Sequence, residues 1–150
     1  MKEILVIYYS QTGQLLDILN NITSNMKEEE VRITLHEITP KKDFDFPWTQ
    51  ERFYDVFPES FLQIPVELLA PDSIVMAKKY DLVILGYQVW YLSPSIPINS
   101  FLKSEQAKAL LKDTPVITVV ACRNMWIKAQ EKVKLLLHDL NANLVGHIAL

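Results

Sequence analysis

The 150 residues carry a formal charge of −3, with 49% hydrophobic and 22% charged residues, three glycines and one cysteine. That balance suits one soluble globular domain, and without an excess of basic residues it argues against a nucleic-acid surface. A single cysteine, Cys122, rules out a disulfide framework or a multi-cysteine metal site and makes a reducing cytoplasm the expected setting; no stretch approaches the roughly 18 apolar residues of a membrane span.

In chain order, EILVIYY (3–9) is apolar on both faces, the mark of a buried parallel strand. Leu15, Ile18, Leu19, Ile22 and Met26 then recur at helical spacing. VRITLHEI (31–38) alternates and predicts a second strand; KYDLVILG (79–86) predicts a third, ending in glycine. A polar helix is expected from about Ser100 to Leu111. TPVITVVAC (114–122) predicts strand four, Trp126 to Leu140 an amphipathic helix, and NLVGHIAL (143–150) strand five. Strands alternating with helices indicate a parallel sheet covered on both faces. In such sheets ligands bind beyond the carboxyl ends of the strands, where strand order reverses. Gly13 and Gly86 are expected just past those ends of strands one and three. Residues 40–77 hold five of the eight prolines and five of the six phenylalanines, which predicts an ordered aromatic insertion near the crevice or at a subunit interface.

Ser10-Gln11-Thr12-Gly13-Gln14 joins strand one to the first helix and admits two readings. One is a plain capped turn. The other is an anion seat, in which a helix N-terminus and hydroxyl donors converge on a phosphate. A phosphate-gripping lysine loop and a G-x-G-x-x-G turn are both absent. Cys122 does not make a cysteine-phosphatase loop, because Lys128 stands where an arginine is needed. His36, His138 and His147 have no ligand spacing, so no metal site is expected.

S-Q-T-G-Q resembles the phosphate loop of flavodoxin-like proteins, roughly [ST]-x-T-G-x-T. G-Y-Q-V-W-Y-L-S-P-S-I-P-I-N-S-F-L (86–102) is similar to the G-[ST]-P-V-W-W-G…P…F-L loop of flavodoxin-like quinone reductases. The resemblance implies a flavodoxin-like three-layer α/β sandwich with a five-stranded parallel sheet in the order 2-1-3-4-5, and FMN as cofactor. It implies the terminal phosphate on Ser10, Gln11, Thr12, Gly13, Gln14 and Leu15, and the isoalloxazine against Gln88, Val89, Trp90 and Tyr91. Trp90 packed in the core is the bland alternative. The pyrimidine side would follow Cys122, Arg123 and Asn124; Arg123 could stabilise a reduced flavin or a substrate oxygen, and Asn124 could instead only cap the following helix. Leu15, Gln88 and Leu92 depart from the family pattern.

With the aromatic insertion, Y-Y-S-Q-T-G-Q and C-R-N-M-W also resemble a narrower group of bacterial flavodoxin-like proteins associated with dialkylresorcinol biosynthesis. Condensation needs an activated cysteine with histidine partners, which this sequence does not assemble; flavin-dependent oxidation of a cyclic dione suits the fold better. The expected function is thus an FMN-dependent oxidoreductase acting on a small organic substrate. The alternatives are an electron carrier, a non-enzymatic binding module and a domain that no longer binds flavin. Such folds place a helix after the fifth strand. The sequence stops at Leu150 without one, so a longer natural chain, or a partner such as a second copy, is expected over that sheet face.

Overall fold

The computed structural model describes residues 1–26, 28–42, 60–122 and 125–150. Strands β1 (Lys2–Tyr8), β2 (Val31–Glu37), β3 (Leu82–Trp90), β5 (Pro115–Ala121) and β6 (Asn143–Ala149) form a parallel sheet in the order β2-β1-β3-β5-β6. In the count of its long strands this is the order 2-1-3-4-5. The two-residue strand β4 (Ser93–Pro94) pairs antiparallel with the end of β3.

Alternation along the strands sorts the core into two layers. Ile4, Val6, Tyr8, Ile84 and Val119 face helix α1 (Gln14–Thr23), which buries Leu15 and Leu19 against them. Leu5, Ile7, Val83, Leu85, Tyr87, Val116 and Val120 face the opposite layer. Among the described residues that layer includes α2 (Ser73–Ala77), α3 (Ile96–Leu102), α4 (Glu105–Leu111) and α5 (Ile127–Asp139). Ile148, in register with Val119, lies on the α1 side and is 36% exposed. Among the described residues no helix is long and apolar enough to cross a membrane.

Three boundaries differ from the sequence reading. The third strand does not end at Gly86. It runs on to Trp90, so Gly86 sits mid-strand between Tyr8 and Val119. Its lack of a side chain serves packing, because a Cβ there would lie 2.8 Å from Leu19 Cδ1 of α1. The single helix expected over 100–111 is two, broken at Lys103 and Ser104; the Ser104 hydroxyl accepts the Ala107 N–H and caps the second. Within 40–77, the described part includes α2 and a return segment that bridges Leu68 to Pro40. Phe44, Phe46, Phe53 and Phe57 lie outside the described residues.

Candidate functional site

Strand order reverses between β1 and β3, so the loops leaving these strands share one crevice edge. After β1 the chain turns at Gly13, with φ 88°, and Gly13 O accepts the Asp17 N–H to begin α1. A Cβ at Gly13 would meet nothing within 4 Å, so backbone conformation alone favours glycine here. The Gly13 N–H donates to Ser10 Oγ at 3.0 Å, and the Gln14 N–H to Thr12 Oγ1 at 3.4 Å. Both hydroxyls therefore accept from within the loop and keep their own protons to donate. Gln11 Nε2 is buried and has no hydrogen-bond partner among the described residues. A buried donor left in that state costs about 1–3 kcal/mol. Leu15 turns its side chain into the core at 0% exposure, so only its first-turn N–H remains for the loop.

The β3 side is a hairpin. Val89 pairs with Pro94 and Trp90 with Ser93, leaving Tyr91 and Leu92 as a two-residue turn with φ 53° and 62°. Positive φ at both central positions is the geometry that matches strand twist, but Asn-Gly ordinarily fills it. Trp90 is only 7% exposed, set edge-on to Tyr9 at 6.1 Å and packed on Ile96. This places its bulk in the core, while Tyr91 remains half-buried at the turn. Gln88 lies level with Ala121, and its carbonyl accepts the Ser95 N–H at 2.8 Å. The third loop begins at half-buried Cys122, whose N–H donates to Leu150 O. Arg123 and Asn124 lie outside the described residues.

Several participants carry no signal in the sequence. Lys132 of α5 donates to buried Ser93 Oγ at 2.7 Å, with its ammonium 4.8 Å above the Phe61 ring. Burial holds this ammonium below the usual lysine range, and Lys128 adds to the effect. Ser60 Oγ donates to the Trp90 carbonyl at 2.7 Å. Tyr9 is one residue past β1 and reads as more strand, yet it supplies the aromatic link between the two loops. Beneath α5, the Tyr87 hydroxyl donates to Gln130 Oε1, Gln130 Nε2 to Thr118 Oγ1 at 3.1 Å, and Thr118 meets His147 Nδ1 at 2.7 Å.

No family model and no curated protein sequence matches the chain. Solved structures do. It superposes on a flavoprotein from Lactobacillus acidophilus NCFM, crystallised in complex with FMN, with TM-score 0.76 and 19% identity over 99% of this chain and 93% of that one. The apo form of the flavoprotein from Lactobacillus acidophilus NCFM, solved by NMR, gives 0.63 and 22% over 99% and 92%. Oxidised flavodoxin 1 from Bacillus cereus gives 0.60 and 15% over 99% and 84%. Identities this low speak for the fold, and the fold is the flavodoxin-like α/β sandwich that the strand order describes.

Proposed function

We propose that the crevice between the β1–α1 loop and the β3–β4 hairpin binds FMN, and that the protein is a flavin-dependent oxidoreductase. The observation that carries this reading is the β1–α1 loop. It combines a positive-φ glycine at a helix N-terminus, two hydroxyls with protons to give, and the buried Nε2 of Gln11, which has no partner among the described residues. A terminal phosphate would satisfy that donor set. Ser10, Gln11, Thr12, Gly13, Gln14 and the Leu15 N–H would hold the phosphate. Gln88, Val89, Trp90 and Tyr91 would flank the ring, with Cys122, Arg123 and Asn124 on the remaining side. FMN supplies hydride and electron transfer; the chain positions it and excludes water.

The substrate class we assign is a small cyclic dione or quinone, on the resemblance to proteins of dialkylresorcinol biosynthesis. Residues 40–77 would cap the crevice within the same domain, in keeping with Ser60 bonded to the Trp90 carbonyl and Val66 packed beside Trp90. Visible absorption of freshly purified protein, followed by FMN titration, tests the reading. Bound or titratable FMN that is lost in Thr12→Val and Gly13→Val supports it; affinity unchanged in both variants rejects the loop as the phosphate site.

A further inference from the structure

A second cavity lies on the α2–α5 side of the sheet, where β2 ends against α3, the start of α4 and the return segment 66–71. Its volume is about 150 Å³, the size that takes one benzene ring in an apolar core. Ile38, Leu68, Pro71 and Phe101 supply apolar walls, and among the described residues no charged side chain lines it. It opens to solvent beside Leu69, which is 52% exposed.

The polar groups of this lining are of two kinds. Its hydroxyls are engaged: Ser100 Oγ accepts the Val66 N–H at 2.9 Å and donates to Ile96 O, and Ser104 Oγ donates to Phe101 O and accepts the Ala107 N–H. His36 and Gln106 have no side-chain hydrogen bond among the described residues. His36 stands level with Ile7, whose side chain faces the α2–α5 layer, so the imidazole projects to that side and lies 6.4 Å from the Phe101 ring. Neither of its nitrogens is both buried and partnerless, so the ring edge is reachable as it stands. Burial holds the imidazole below the usual histidine range, against the pull of Asp72, and keeps it neutral at pH 7. A neutral imidazole offers one N–H and one bare nitrogen. A hydroxyl can accept from the first or donate to the second, so it matches either tautomer.

We infer that this cavity binds a small, neutral, single-ring hydroxyl compound of the phenol type, its ring against Phe101 and Leu68 and its hydroxyl on the His36 imidazole. A flat ring suits walls made by an aromatic and aliphatic side chains. A carboxylate or phosphate would find no cation in the lining to receive it. The inference does not depend on FMN, since no residue proposed to hold the flavin lines the cavity.

Phenol and toluene, which differ by a hydroxyl against a methyl, test it, titrated into the 150-residue protein and followed by NMR at the His36 imidazole and the Phe101 ring. Phenol should saturate and should move the His36 nitrogen signals further than toluene does. In His36→Leu phenol should bind about tenfold more weakly, the size of one net hydrogen bond, while toluene is not weakened. Absence of saturable phenol binding, a His36 shift no larger than toluene gives, equal losses for the two ligands in His36→Leu, or displacement of phenol by FMN would each overturn the proposal. The wild-type His36 signals decide the matter even where His36→Leu fails to fold.

Discussion

After β1 the chain enters the left-handed region once, at Gly13; after β3 it does so twice in succession, at Tyr91 and Leu92. The first turn is solved locally. Glycine has no Cβ to clash, and the hydroxyls that brace the loop, Ser10 and Thr12, come from within it. The second turn is held from outside. A side chain in that region costs roughly 1–2 kcal/mol per residue, and here distant residues offset it: Lys132 on Ser93, Ser60 on the Trp90 carbonyl, and the burial of Trp90 against Tyr9 and Ile96. The first turn thus carries its own instructions, whereas the hairpin depends on the rest of the fold.

The largest effect should come from removing the hairpin's apolar anchor. Trp90 is 7% exposed, so Trp90→Ala should cost about 3–5 kcal/mol of stability, read as a fall in urea midpoint. A loss below about 1 kcal/mol together with abolished FMN binding would show that Trp90 serves the ligand and not the fold.

Two substitutions at positive φ should then move in opposite directions. Gly13→Ala forces a Cβ into the left-handed region and should destabilise by about 1–2 kcal/mol. Leu92→Gly relieves the same strain while adding chain entropy to the unfolded state, and should fall within about 1 kcal/mol of neutral on the stabilising side. If both destabilise equally, the two turns are held in the same way and the contrast fails. Lys132→Met sharpens it further. Losing the bond to Ser93 should cost about 1 kcal/mol in the wild-type background and at least about 0.5 kcal/mol less beside Leu92→Gly, because the relaxed turn needs less support.

The same contrast explains what the sequence discloses. The five long strands and the β1–α1 loop are legible because their causes are local: apolar runs, helical spacing, and a glycine among hydroxyls at a strand–helix junction. The end of β3 is not. Gln-Val-Trp continues the strand by pairing with β5 and β4, and Tyr-Leu contains none of the glycine or asparagine that marks a turn. Gly86 misleads for a related reason, since it marks a close approach by Leu19 and no turn at all. Lys132, Ser60 and the polar chain to His147 are tertiary facts, joining residues 39, 30 and 29 positions apart, and no spacing in the sequence announces them.

The smallest effect separates both regions from the rest of the molecule by pH. Neither Ser10–Gln14 nor Gln88–Ser95 contains a group that titrates between pH 5 and 8, as their sequences show. Two histidines lie instead near the two edges of the sheet. Burial holds His36 below the usual histidine range, with Asp72 working against it. Burial does the same at His147, where a hydrogen bond to the Thr118 backbone opposes the effect and Lys134 adds to it. In the unfolded chain both titrate near about 6.5. On acidification the unfolded state therefore takes up protons first, so stability is whole above that value and falls as pH drops through it toward the lowered folded-state values. Urea midpoints at pH 8, 7, 6 and 5 should decline only below about 6.5, and His36→Gln should flatten part of the decline. FMN affinity over the same range should follow only the second ionisation of its phosphate, near about pH 6. A midpoint indifferent to pH, with FMN affinity that changes beyond that ionisation, would place the titrating groups in the crevice and reverse the assignment.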